Sequence, residues 1–146
     1  FKATYEAEDG TRKTPVMIHR AILGSLERFI GILLENYAGK LPVWLNPVQV
    51  KVLPVAEKFA EYAKTVAAEL VAAGVRAEAD VRNESLRKKV RDAQIQHVNY
   101  QFVVGGREEE SRAVAVRARG NQDLGTMPLV DAIARLKDEI ARRVNG

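Results

Sequence analysis

The sequence predicts an α/β protein with a mixed, mostly parallel sheet covered by helices, preceded by a strand hairpin and one further helix. Three observations carry this. Apolar residues alternate with period two in short runs such as Val48, Val50, Val52 and Tyr100–Val104. Between those runs the apolar period lengthens to three and four residues over stretches of helical length. Composition is that of a core-forming chain, with 47% hydrophobic and 29% charged residues in 146. No apolar run approaches the roughly 20 residues a membrane span needs. The absence of Cys removes disulfides, thiol nucleophiles and any Cys-built metal site from these residues. Two His, His19 and His97, are too few for a His-rich metal centre. No signal peptide opens the chain, so a reducing, cytoplasmic setting is expected. The first residue is Phe rather than Met, as expected of a piece of a longer protein.

Residues 1–18 read as a hairpin. Phe1, Ala3 and Tyr5 alternate with Lys2, Thr4 and Glu6, Asp9-Gly10 supplies a turn, and Val16, Met17 and Ile18 continue as the second strand. A helix is expected over 20–37, with Ile22, Leu26, Phe29, Ile30, Leu33 and Leu34 on one face. Gly24 and Gly31 fall inside it, where glycine marks close approach of a ligand or another backbone. Gly39, Pro42 and Pro47 around Trp44 make 38–46 the linker candidate. A strand over 48–52 is ended by Pro54, a helix runs over 57–73, and Gly74 suits the position after its C-cap. A strand over 75–81 follows, then a helix with Asn83 as its N-cap. That helix turns Leu86, Val90 and Ala93 inward and Arg87, Lys88, Lys89 and Arg91 outward. The strand at 100–104 is linked by a Gly105-Gly106 turn to a fourth over 113–117, and 120–125 is a loop. The last helix covers 128–144, with Pro128 in its first turn. The order β-α-β-α-β-β-α gives parallel pairs with right-handed crossovers and one antiparallel addition.

The charge balance, 23 basic against 19 acidic side chains for a net +4, permits nucleic-acid binding without establishing it. Placement of charge is more informative. Asn83 and Glu84 follow a strand end, where ligands gather in open α/β sheets. Arg82, Lys88, Lys89 and Arg91 surround them, Glu108 follows the Gly-Gly turn, and Arg117 and Arg119 end the fourth strand. A carboxylate can accept from guanine N1 and N2, and a guanidinium can donate to its O6 and N7 edge. Glu108 reads equally as one member of a solvated acidic run, and Arg117 as an exposed strand-end charge. Arg87, Lys88 and Lys89 would track phosphates or solvate a helix. Tyr100 is expected in the core, Trp44 against a domain, and His97 at a helix end.

The run Gly24-Ser25-Leu26-Glu27-Arg28-Phe29 resembles motif 3 of class II aminoacyl-tRNA synthetases, and residues 15–35 resemble the threonyl-tRNA synthetase family in particular. The resemblance continues through residues 44–50, 79–84, 114–117 and 123–127. It implies three parts: a C-terminal piece of the catalytic domain at 1–37, a linker at 38–46, and an anticodon-binding domain at 47–146. It implies that Arg28 binds ATP, that His19 is one of three ligands to the zinc that recognises threonine, and that Ser25 lies at the amino-acid site. A zinc with an open coordination position can take both the amino and hydroxyl groups of threonine, which valine cannot offer. The other two zinc ligands and motifs 1 and 2 belong upstream, so neither ATP nor zinc is expected to be held by these residues alone.

By the same resemblance Asn83, Glu108 and Arg117 lie at the anticodon; Arg82, Arg91 and Arg119, by their placement in the sequence, are expected to contact it as well. The implied function is recognition of threonine tRNA isoacceptors, whose anticodons share G and U, within an enzyme that makes threonyl-adenylate and transfers threonine to tRNA. The partners implied are tRNA and the rest of the catalytic domain, with a homodimer in the full-length enzyme, a monomer for this chain, and no membrane. Two other readings remain: a non-catalytic binding or dimerisation module on the same fold, and a small α/β enzyme acting on a phosphorylated ligand. The second lacks a Gly-rich phosphate loop and a paired acid–base set.

Overall fold

The computed structural model describes residues 2–144. The chain divides into two compact units, Phe1–Leu33 and Leu34–Gly146.

In the first unit, β1 (Tyr5–Glu6) pairs antiparallel with β2 (Arg12–Lys13). Asp9-Gly10 forms the expected turn: Asp9 accepts from the Thr11 amide and hydroxyl, and Gly10 is left-handed. Phe1, assigned to this hairpin by alternation, lies outside the described residues. The second strand differs from expectation. It ends at Lys13, and 16–18 is irregular and exposed. Continuing the ladder would set Pro15, which has no amide hydrogen to donate, opposite Ala3. The helix also starts late, as α1 (Leu26–Asn36). Leu23 and Gly24 are both left-handed, which breaks any helix from 20, and the Ser25 hydroxyl accepts from the Arg28 amide at the new start. Gly31 does lie inside α1, but a Cβ there would meet nothing within 4 Å.

In the second unit, Gly39 stops α1 with a left-handed φ, its amide donating to Leu34 O. The segment 38–46, expected as a linker, is packed into the unit. Leu41, Pro42, Val43 and Asn46 are buried, and Arg76 donates from Nε to Asn46 O and from Nη2 to Trp44 O. The buried carboxamide of Gln49 donates to Val43 O and accepts from the Arg76 amide.

Five strands form the sheet in the order β4 (Ala77–Ala79), β3 (Val50–Pro54), β5 (Tyr100–Val104), β6 (Ala113–Ala118), β7 (Gln122–Pro128). β3 is parallel to β4 and β5, and β5–β6 and β6–β7 are antiparallel. The predicted mixed sheet is present, with two additions. Gly105 does not turn directly into a strand: Gly106–Ser111 is a short helix, α4. Residues 122–128, expected largely as loop, pair as the edge strand β7, with a register shift beside Gly125 that its left-handed φ accommodates.

Residues 57–59 form a 3-10 turn into α2 (Ala60–Ala72), which Gly74 ends with its left-handed φ. α2 and α5 (Leu129–Arg142) cover one face. Ala63, Val66, Leu70, Leu129, Ala132 and Leu136 meet Val50, Val52, Phe102, Val104, Val114 and Val116 there. Pro128 stands just before α5 rather than in its first turn. Tyr100 joins this core as expected, its hydroxyl donating to Glu139 Oε2 at 2.7 Å. The connection from β4 back across β3 to β5 runs in the opposite direction, so a right-handed crossover puts α3 (Leu86–Ile95) on the other face. α3 packs on β3.

Candidate nucleic-acid interface

The interface begins with the loop from β4 into α3. Asp80 is buried, and Arg82 grips it with Nε–Oδ1 at 2.8 Å and Nη2–Oδ2 at 2.6 Å. The same guanidinium reaches Asp92 Oδ2 at 2.9 Å. Arg82 holds the Asp80 carboxyl below the usual carboxylate range by donating to it, and both carboxylates raise the proton affinity of Arg82. Arg82, expected to contact RNA, is therefore committed to pinning its own loop onto α3. Asn83 is not the N-cap. Ser85 is, its Oγ accepting from the Lys88 amide. Asn83 is left exposed at the tip of a braced loop. Lys88 pairs with Glu84.

Lys89 corrects a second expectation. It lies one turn before Ala93, on the sheet-facing side of α3, and is 4% exposed. Its charge helps keep Asp80 ionised. Arg87 and Arg91 face solvent.

Glu108 is neither a merely solvated charge nor an unoccupied acceptor. Its Oε2 accepts from the buried Gly105 amide at 2.9 Å, closing the N-terminus of α4. Gly105 has little room for anything larger, since a Cβ there would sit 3.0 Å from Val55 and 3.2 Å from Glu108 Oε2.

The register places the remaining groups. Directly paired residues share a face, and Lys51, Gln101, Arg117 and Asp123 form one row across β3, β5, β6 and β7. This is the face away from α2 and α5. Lys51 is tied to Glu78 at 3.5 Å. Over β6 and β7 the face is open: Ala115 and Arg117 are half-buried, Asp123 and Thr126 exposed. Among the described residues, no ion pair or hydrogen bond occupies the Arg117 guanidinium. Arg117 lies four residues into β6, roughly 13 Å of strand from the end where α4 sits. Glu108 and Arg117 therefore do not touch, and Glu108 Oε2 faces Gly105 instead.

Arg119 differs from Arg117. Its Nη1 donates to Leu41 O at 2.8 Å and its amide to Asn99 O at 2.8 Å, so it clamps the segment before β3. Burial pushes its proton affinity down.

In the first unit, Ser25 Oγ donates to Glu27 Oε2 at 2.7 Å, and His19 and Arg28 are exposed. Among the described residues no group of three or more His, Cys, Asp or Glu could hold a metal. Val16, Met17, Ile18 and Ile22 stand 63–90% exposed.

Among the described residues the arrangement is thus an open sheet face with an unpaired guanidinium, flanked by a helix presenting two free arginines and a pinned loop presenting a carboxamide. A guanidinium suits the O6/N7 edge of guanine, exposed arginines suit phosphates, and a carboxamide suits a base edge. Sequence reasoning missed three things: the Asp80–Arg82–Asp92 network, the capping role of Glu108 and the buried Gln101. Asp80 two residues before Arg82, and a Glu three residues after a glycine N-cap, are signals that could have found the first two.

The anticodon binding domain family matches residues 49–139, and the chain belongs to that family. The chain is 57% identical over 141 residues to a threonine–tRNA ligase of Dechloromonas aromatica, covering 97% of this chain and 22% of that protein. It is 52% identical over 143 residues to a threonine–tRNA ligase of Chloroherpeton thalassium, again 22% of the relative's length. The chain thus spans about 22% of the curated relatives it matches. Among solved structures it resembles the RNA-binding domain of threonyl-tRNA synthetase from Cryptosporidium parvum, with TM-score 0.74, 36% identity, and coverage of 92% of this chain and 34% of that one. It also resembles a prolyl-tRNA synthetase of the same organism, with TM-score 0.66, 25% identity, and coverage of 96% and 31%.

Proposed function

We propose that this chain is the tRNA-reading, C-terminal part of a cytoplasmic threonine–tRNA ligase. The observation that carries the reading is the unpaired Arg117 guanidinium on an uncovered sheet face, in a domain whose family is defined by anticodon binding. Arg117 reads guanine in a GU-containing anticodon. Asn83, held out by the braced loop, takes a neighbouring base, and Arg87 and Arg91 follow the backbone. Glu108 shapes the site through α4 and has Oε1 to offer a base.

In the longer protein, residues 1–37 join the catalytic domain, whose missing part covers the exposed apolar side chains from Val16 to Ile22. Arg28 there meets ATP, and His19 and Ser25 meet zinc-bound threonine. The whole enzyme, a homodimer, forms threonyl-adenylate from threonine and ATP and passes threonine to tRNA.

The test is a titration of the chain with a GU-containing anticodon stem–loop and a scrambled one, at two salt concentrations. Wild type should prefer the GU-containing RNA. Arg117→Ala should lose about 5- to 150-fold of that affinity, the size of one bidentate base contact, while Arg91→Ala should weaken both RNAs alike and flatten the salt slope. Equal affinity of wild type for both RNAs at matched salt overturns the reading.

A further inference from the structure

Residues 38–46 lie between α1 and β3, and a segment that only connects two elements needs no fixed conformation. This one is held along its length. Ala38 and Gly39 are both left-handed, and the His97 ring packs so closely that a Cβ on Gly39 would sit 3.3 Å from His97 Cδ2. Beyond that turn, side chains take the backbone carbonyls in succession. Leu41 O accepts from Asn99 Nδ2 at 3.0 Å and from Arg119 Nη1 at 2.8 Å. Val43 O accepts from Gln49 Nε2 at 2.8 Å. Trp44 O and Asn46 O accept from Arg76 Nη2 and Nε, at 3.0 and 2.9 Å. The Asn46 carboxamide donates in turn to His97 O at 3.2 Å.

The gripping residues share a place in the fold. Gln49, Arg76 and Asn99 stand immediately before β3, β4 and β5, and Arg119 immediately after the antiparallel β6. They gather at one end of the sheet, while the loops carrying Asn83 and Glu108 leave from the other. Gln49 and Asn99 are buried and belong to the interior. The two arginines do something else. Arg76 is exposed, so it gives up side-chain freedom to hold two carbonyls. Arg119 adds a second donor to a carbonyl that Asn99 already satisfies. Both constrain the segment beyond what satisfying its backbone requires.

We propose that Arg76 and Arg119 are positioning residues for the transfer of threonine to tRNA. They make 38–46 a stiff connection, so that tRNA bound on the second unit is presented to the catalytic part of the longer protein in a narrow range of poses. The proposal rests on the tRNA-reading function proposed above. In the transfer step a ribose hydroxyl at the tRNA 3′ end attacks the carbonyl carbon of threonyl-adenylate. The ester bond forms as the acyl–phosphate bond breaks, AMP leaves with the electron pair, and the hydroxyl proton passes to solvent. A swivelling domain lowers the fraction of bound tRNA aligned for that attack. Adenylate formation involves no tRNA and is indifferent to the connection.

The experiment uses the longer protein as wild type, Arg76→Ala, Arg119→Ala and the double variant. ATP–pyrophosphate exchange, affinity for the GU-containing stem–loop, and kcat and KM for charging tRNA are measured on each. In the double variant, exchange, stem–loop affinity and KM should stay within about twofold of wild type. Its kcat for charging should fall about tenfold, less than the ~100-fold that a misplacement of about 1 Å can cost. Arg119→Lys keeps a donor for Leu41 O and should charge faster than Arg119→Ala. Should the double variant fail to fold, Arg76→Ala, on an exposed side chain, carries the same expectation at about threefold. Wild-type kcat in the folded variants, a parallel fall in exchange, a loss confined to KM or stem–loop affinity, or an Arg119→Lys no better than Arg119→Ala overturns the proposal. Failure of the tRNA-reading function appears in the wild type, as absent charging or no preference for the GU-containing RNA. Failure of the positioning role appears only in the variants.

Discussion

Replacing Glu108 separates two roles that one carboxylate could play. Its Oε2 is the acceptor for the Gly105 amide, a buried donor for which the structure provides that bond at 2.9 Å. Glu108→Ala removes the acceptor and leaves the amide unsatisfied, which costs about 1–3 kcal/mol. For a unit of this size about 1 kcal/mol corresponds to roughly 4–8 °C in melting temperature. The variant should therefore melt at least several degrees below wild type. Glu108→Gln keeps a carboxamide oxygen in reach of the same amide and should lose less than half as much. Thermal unfolding followed by circular dichroism measures both. On RNA binding the order changes. If the carboxylate also accepts from a base, Glu108→Gln falls in affinity for the GU-containing stem–loop at nearly wild-type stability. The capping argument is refuted if Glu108→Ala melts with wild type, or if Glu108→Gln is as damaging as Glu108→Ala.

Three further outcomes follow from the same contacts. Tyr100 is pushed up to about 12 by burial and by its bond to Glu139, so above pH 10 the unfolded chain loses a phenolic proton that the folded chain keeps. Stability should fall between about pH 10 and 12, and Tyr100→Phe should reduce that fall in urea titrations. Asp80 is held below its ordinary value by Arg82, so its contribution is present above about pH 4 and is lost as the pH drops through the lowered value. Asp80→Asn should start less stable at neutral pH and show a shallower acid limb. Arg119→Ala removes one of two donors to Leu41 O, the other being Asn99 Nδ2 at 3.0 Å, and should cost about 0.5–1.5 kcal/mol with faster amide exchange confined to 38–46.

The parts of the fold that could be read from the sequence are those set by period and punctuation. Val50 and Val52 alternate, Leu70 recurs with Ala63 and Val66, and Gly74 ends α2, so the strand–helix units emerged in order. Tertiary context decided the rest. Gly125 reads as loop, yet a left-handed residue beside a register shift lets β7 pair around it. Gly105-Gly106 reads as a tight turn, but a helix cap uses the same residues. Lys89 reads as surface because lysine usually is, and only the packing of α3 on the sheet shows otherwise. At the site, residue types were legible but their engagements were not. Arg82, Arg117 and Arg119 look equivalent in sequence. One is locked to two aspartates, one is unpaired, and one clamps a carbonyl, because loop, strand and strand end present them to different neighbours.

The stretch before β3 sets where the domain can be cut. A fragment started at residue 47, where the resemblance alone would put the first cut, discards Leu41, Pro42 and Val43 from the hydrophobic interior. It also strips Arg76, Asn99 and Arg119 of the carbonyls they hold, leaving three side chains reaching into a vacated trough. Anyone excising this module for crystallography or fusion should begin upstream of Lys40, so that the threshold travels with the house.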